Sequence, residues 1–299
     1  MKNYEKCVFT VCSVNYLDKA CVLLNSIASI HKDIALYVFL ADKKRNLEVQ
    51  DQRINVIWVE DTDFPNYLSC AFKYNIIEFN TCVKPYIASY LLGSHHKVIY
   101  FDPDIYVYSC IDCMFQMLEQ SDMLLTPHAL SSPLDNERPN DLDVLKFGLY
   151  NLGYFAVRRS HMSSKILDWW HEKLQSSCYY DPGAGYGVDQ KWADLIPVFF
   201  SGVEIVKNVG WNVAFWNMHE RTIELEENGY RISGGQPLVF FHFSSYDPLK
   251  IDWVAKKQSR FRPGKREDFT RISSDYALRL IAAKEMICGE DLEYGYAKF

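Results

Sequence analysis

Between Cys7 and Val14 the chain runs through apolar and β-branched residues without proline or glycine, which predicts a buried strand. Asn15-Tyr16 interrupts that run. Leu23, Leu24, Ile27 and Ile30 then recur at helical spacing and predict a helix from about Leu17 to His31. Two short apolar runs follow, Ile34 to Leu40 (ending at Ala41-Asp42) and Ile54 to Val59, and both read as strands. This β-α-β-β alternation predicts an α/β fold with an open, mostly parallel sheet and helices on its faces. Ligands of such sheets bind beyond the carboxyl ends of the strands. Asn15, Tyr16 and Asp42, each just past a strand, therefore fall on the expected ligand side.

Further along, Lys84 to Leu92 reads as a helix with Pro85 tolerated in its first turn. Lys97 to Phe101 is a continuous apolar strand that ends in Asp102-Pro103-Asp104, and apolar character resumes from Ile105 to Tyr108. Asp122 to Leu125, Tyr154 to Val157, Val203 to Val206 and Leu238 to Phe243 are further strands. Ser163 to Leu174 is an amphipathic helix, and Asp189 to Leu195 a short one. Ala129 to Asp143, with Pro133 and Pro139, predicts a long surface loop, and Tyr179 to Gly187, with three glycines and a proline, predicts another.

Composition narrows the class. With 299 residues, 48% of them hydrophobic, the chain can bury one large α/β core. A net charge of −6 argues against a nucleic-acid binder that relies on global positive charge. The nine cysteines are odd in number and form no disulfide framework; Cys110 and Cys113 read as small apolar core residues at a helix start. Lys2, Glu5 and Lys6 and the short, interrupted apolar stretch after them do not make a secretory signal, so a cytoplasmic location is expected. The chain changes character at Lys250. Lys256, Lys257, Arg260, Arg262, Lys265 and Arg266 are interleaved with Trp253, Phe261 and Phe269. This sets a basic extension, 250–299, apart from a domain spanning 1–249. Three readings stay open for it: a solvated face, peripheral contact with an anionic inner membrane face, or a fold-back over the active site that supplies a cation.

The chemistry concentrates at Asp102-Pro103-Asp104. Two carboxylates placed directly after a buried strand need a partner, because burying unpaired charge is expensive. One partner is a divalent cation of the Mg²⁺ or Mn²⁺ type, which takes oxygen ligands. The other is local backbone, in a strand-end turn. A phosphohydrolase using the first aspartate as nucleophile would want Thr or Val where Tyr106 stands. His242, in the apolar run Val239 to Phe243, is a core residue or a third ligand according to whether it meets the aspartates in space. Imidazole beside carboxylates suits Mn²⁺ better than Mg²⁺.

Six segments taken in order resemble the glycosyltransferases of the GT-A fold, and among them glycosyltransferase family 8. They are Asn15-Tyr16, Val98 to Asp104, Tyr150-Asn151-Leu152-Gly153, Asp189-Gln190, Gly210-Trp211-Asn212 and His242, spread over most of the chain. The resemblance implies a GT-A, Rossmann-like fold and a metal-dependent transfer of a hexose from a UDP-sugar, with retention of configuration, to a glycan, lipid-linked or protein acceptor. It implies that Asp102, Asp104 and His242 hold Mn²⁺ and that Cys12, Tyr16 and Asp42 line the base and ribose pocket. Lys84 would lie near the donor, with Asn151 against the donor sugar and Asp189 and Gln190 beside the anomeric carbon. In one respect the chain departs from the family. No Gly and Lys follow His242 to grip the diphosphate; Phe243 to Pro248 stand there instead. A non-catalytic nucleotide-sugar or glycan-binding module and a metal-dependent phosphohydrolase are the competing readings.

Overall fold

The structure, a computed structural model, describes residues 5–289 and 292–296. Residues 1–4, part of the expected 1–249 domain, and 290–291 and 297–299, part of the expected extension, lie outside the described residues. Seven strands form the central sheet: β1 (Lys6–Cys12), β2 (Ala35–Leu40), β3 (Ile54–Trp58), β4 (Lys97–Phe101), β5 (Met123–Pro127), β6 (Tyr150–Arg158) and β7 (Val203–Ile205). Their order is β3-β2-β1-β4-β6-β5-β7. Every neighbouring pair is parallel except the two made by β6. The predicted α/β class and its mostly parallel sheet are therefore observed.

Alternation along the strands divides the core into two layers. Val8 and Cys12 of β1 face a cluster that includes the helix Leu17–Ile30, while Cys7, Phe9 and Val11 face another built on the helices between Tyr67 and Leu92 and on His161–Ser177. The segment beyond Lys250 shares this core. Its helix Glu267–Lys284 buries Phe269, Ile272, Tyr276 and Leu280 in the first layer, and Ile287–Gly289 pairs antiparallel with Leu47–Val49.

Several local expectations are corrected. Cys110 and Cys113 are exposed; the helix there, Asp112–Met117, turns Met114 and Phe115 inward instead. The long loop ends at Asn140, because a helix begins at Asp141 and runs to Phe147. The signal is a capping box: Asn140 Oδ1 accepts from Leu142 N–H and Asp143 Oδ2 accepts from Asn140 N–H. The strand expected at Tyr154 begins four residues earlier, so Asn151 sits in a strand and not in a turn.

The four consecutive parallel strands end along one edge of the sheet. Asp102 follows β4 there, Asp42 follows β2 after Ala41, and β6, running the other way, starts there with Tyr150 and Asn151. The backbone stitches the edge together: Asp102 N–H donates to Gly153 C=O (2.8 Å), and Ile105 N–H to Asp102 C=O (3.1 Å), closing a turn with Pro103 at its second position. The chain then forms Ile105–Val107, which pairs antiparallel with Phe240–His242. His242 stands opposite Ile105, beside Asp104.

Candidate functional site

That pairing gathers the three sequence-predicted ligands. One ligand atom each from Asp102, Asp104 and His242 lies within 4.8 Å of the others. His242 Nε2 is 2.9 Å from Asp104 Oδ1 and 3.7 Å from Asp102 Oδ2. Burial alone would raise the Asp104 pKa, but His242 beside it more than offsets this and holds the carboxyl down at about 2. Burial opposes the charge on His242, yet the two aspartates raise its pKa. The trio thus attracts positive charge, whether a proton on Nε2 or a cation in its place.

Lys84 is the second feature. It opens the helix Lys84–Leu92, is 3% exposed, and its ammonium lies 3.1 Å from Asp102 Oδ1 and 2.9 Å from Asp189 Oδ2. It also donates to Leu152 C=O (3.1 Å). Burial works against its charge, and the two carboxylates outweigh that and raise its pKa. Asp189, 1% exposed, has its pKa raised by burial against the pull of Lys84. Asp189 does not cap its helix: Gly187 occupies the cap position and Val188 enters at φ 46°, a conformation costly for a β-branched residue. Strain is thus placed immediately before the buried carboxylate. Tyr100 OH completes the environment of Asp102, donating to its Oδ1 at 2.5 Å.

Asn151 and Gln190 are brought to the same place, but their amides face the protein. Asn151 Oδ1 accepts from Gly153 N–H (3.2 Å) and lies 3.2 Å from His242 Nδ1. Asn151 Nδ2 donates to Gln190 Oε1 (3.1 Å) and lies 3.3 Å from His128 Nε2. Gln190 Oε1 also accepts from Leu152 N–H (3.3 Å), and its Nε2 donates to Phe147 C=O (3.3 Å). In this arrangement the Asn151 amide has no free donor or acceptor for a sugar.

The expected nucleoside end is also altered. Asp42 is fully buried, and its carboxylate accepts from Val14 N–H (3.0 Å), Lys43 N–H (2.7 Å), Arg45 Nη2 (2.8 Å) and Gly295 N–H (2.8 Å). Three of those bonds fall on Oδ1 and one on Oδ2. Asp42 therefore ties the loop after β1 to the C-terminal segment and, being fully buried, presents no oxygen to a ribose hydroxyl in this arrangement. Cys12 is 2% exposed with its side chain in the core, where burial raises the thiol pKa. Tyr16 does present an exposed ring, with Lys19 Nζ 3.7 Å from its centroid. Sequence reasoning missed His128, Tyr100 and Trp216, the last packing edge-on against both His242 and His128. No local pattern marks His128 and Trp216, which act through neighbours distant in sequence, whereas Tyr100 stands two residues before the aspartate it serves and reads only as a strand aromatic.

A second trio, His31, Cys110 and Asp112, also has ligand atoms within 4.8 Å of one another. It is not arranged for a metal. Ile111 N–H donates to His31 Nε2 (3.1 Å), so the neutral ring carries its proton on Nδ1, the atom 3.8 Å from Asp112. Nδ1 then has no lone pair to offer. Half of the six basic residues of that segment are in ion pairs: Arg260 with Asp135, Arg266 with Asp268 and Lys256 with Asp247. Among the described residues no helix is long and apolar enough to cross a membrane.

No family model matches the chain. Over 251 residues it is 24% identical to the uncharacterized protein YfnF of Bacillus subtilis (strain 168), covering 82% of this chain and 83% of that protein. It is 22% identical to YfnD of the same strain over 247 residues, 79% of this chain and 76% of YfnD. Among solved structures it resembles the galactosyltransferase LgtC in complex with donor and acceptor sugar analogs (TM-score 0.52, 20% identity, 90% of this chain and 95% of LgtC). It also resembles the bifunctional glycosyltransferase WbbM (TM-score 0.54, 12% identity), 95% of this chain matching 52% of WbbM. The chain thus has the α/β, GT-A architecture of these glycosyltransferases.

Proposed function

We propose that the protein is a metal-dependent glycosyltransferase that moves a hexose from a UDP-sugar to a glycan, lipid-linked or protein acceptor with retention of configuration. The observation that carries this reading is the convergence of Asp102, Asp104 and His242 at the carboxyl edge of a glycosyltransferase-like sheet. The donor set fits Mn²⁺: two carboxylates and an imidazole whose other nitrogen is already engaged by an amide oxygen. When bound, such an ion supplies Lewis-acid stabilisation of the departing nucleoside diphosphate. The chain's own contribution is to keep charge in place. Lys84 pairs with both Asp102 and Asp189 in a buried environment, and Asp189 is the residue that the motif resemblance would set beside the anomeric carbon, where positive charge develops. The UDP donor and the retained configuration rest on the motif resemblance of Val98 to Asp104, Tyr150 to Gly153 and Asp189-Gln190.

Calorimetric titration with UDP is expected to show binding that requires Mn²⁺ and disappears in Asp104→Ala. Product analysis with a panel of UDP-sugars then identifies the donor. Phosphate release from generic substrates without nucleotide dependence would replace this reading with a phosphohydrolase. UDP-sugar binding without transfer would replace it with a binding module.

Binding should also depend on pH in a defined direction. The raised pKa of His242 means that Nε2 keeps its proton to higher pH than an ordinary histidine, and a metal must displace that proton. Apparent Mn²⁺ affinity is therefore expected to rise with pH across the histidine range and then level off. An affinity flat over that range would exclude His242 as a ligand.

A further inference from the structure

Asn151 belongs by sequence to a segment expected to touch the donor, yet every hydrogen-bonding position of its amide is used inside the protein. Those partners also fix which way the amide points. Gly153 N–H can only donate, so the atom 3.2 Å away is the amide oxygen. Gln190 Oε1, which already accepts from Leu152 N–H, receives the amide nitrogen on the other side at 3.1 Å. Flipping the amide would set NH₂ against N–H and oxygen against oxygen. His128 agrees with this orientation: burial holds its pKa down at about 4, so the ring is neutral and its Nε2 accepts from the Asn151 amide.

With the oxygen assigned, its second partner follows. His242 Nδ1, 3.2 Å away, must be the protonated nitrogen, which leaves Nε2 as the atom presented to Asp104 and Asp102. We propose that Asn151 is a positioning residue for His242: its amide oxygen selects the Nδ1–H tautomer and the ring orientation, so that the Nε2 lone pair faces a metal held with Asp102 and Asp104. This rests on the reading of that trio as a metal site. It takes Asn151 out of the donor-sugar pocket and places it behind the metal ligand, where such partners orient imidazoles in metal centres generally. The glycine two residues on belongs to the same device. A side chain at Gly153 would meet His242 Cε1 at 2.5 Å and Asn151 Oδ1 at 2.8 Å, so the strand can bring its backbone N–H to the amide only without a Cβ.

The test uses the full chain without nucleotide. Mn²⁺ affinity, from electron paramagnetic resonance of the free ion, is compared in wild type, Asn151→Leu and Asn151→Asp, with thermal unfolding as a control for folding. Asn151→Leu keeps the volume and removes the acceptor, and is expected to weaken Mn²⁺ binding roughly 10–100-fold. Asn151→Asp keeps an acceptor oxygen for His242 but sets its other oxygen against Gln190 Oε1, and is expected to restore part of the affinity. Equal losses in both variants would mean that Asn151 serves packing and would overturn the proposal. Nitrogen-15 NMR of metal-free protein at alkaline pH, with the His242 signal assigned through His242→Phe, reads the tautomer directly. A single Nδ1–H form in wild type and a mixture in Asn151→Leu is the expected result; an Nε2–H form in wild type would also overturn it. Wild type that shows the Nδ1–H form but binds no Mn²⁺ would refute the metal reading itself, and with it the ligand role given to His242.

Discussion

Lys84→Met is expected to lose about 3–5 kcal/mol of folding stability at neutral pH, read by chemical denaturation. The ammonium is 3% exposed and lies between two carboxylates, so its removal leaves Asp102 and Asp189 facing each other with their shared counter-charge gone. The sign of the pH dependence follows. Asp189 already has a pKa raised by burial, with Lys84 opposing the rise. Without Lys84 the folded-state pKa climbs further above the unfolded one, and native protein binds a proton that the unfolded chain releases. Stability of the variant must then fall as pH rises from the unfolded pKa to the folded one, and recover as pH is lowered. Adding Asp189→Asn to Lys84→Met removes one of the stranded charges and should restore part of the loss. A variant as stable as wild type at neutral pH, or a deficit indifferent to pH, would show that Lys84 does not neutralise this pair. The motif resemblance set the lysine near the donor; its place between the two carboxylates appears only in the folded structure.

Gly153→Ala is expected to disable the proposed cation site while adding a single methyl group. The added carbon would lie 2.5 Å from His242 Cε1 and 2.7 Å from its Nδ1, distances that require the ring to move. The neighbours are side-chain atoms of a buried, hydrogen-bonded cluster, so the ring moves only by giving up its bond to Asn151. Overpacking of this kind costs about 1–3 kcal/mol in stability. Displacement of the ring is expected to weaken Mn²⁺ binding roughly 10–100-fold, as loss of a supporting contact does in metal sites. Unfolding curves and Mn²⁺ titration of the same variant separate the two effects. A variant with unchanged Mn²⁺ affinity would mean that His242 is not held where a ligand must be.

Much of the frame was written in local pattern. Buried runs at β1, β2 and β4 gave the parallel sheet, and the turn at Asp102-Pro103-Asp104 placed two carboxylates at its ligand edge, because strand burial and a proline-containing turn are decided by neighbours in sequence. The six ordered segments pointed to the architecture that the structural resemblance to LgtC and WbbM supports. Other features were legible but read differently: Asn140 and Asp143 carry a capping box inside what looked like loop, and Cys110, just before a helix, and Cys113, in its first turn, have the composition of core residues yet are exposed.

The sequence by itself determined which side chains are available at the sheet edge: Asp102, Asp104, Asn151, Asp189, Gln190 and His242. Only the tertiary structure decided what each one faces. His242 reaches Asp104 because Phe240–His242 pairs with Ile105–Val107 in one register; a slip of one residue would turn its side chain to the other face. Lys84 is a buried counter-ion because three elements distant in sequence close around it, and Asp42 is bound from the far end of the chain because the C-terminal segment returns to it. Hydrogen-bonding capacity belongs to a residue type and can be read from sequence. How that capacity is used depends on register and packing, which are settled by the burial of the whole core.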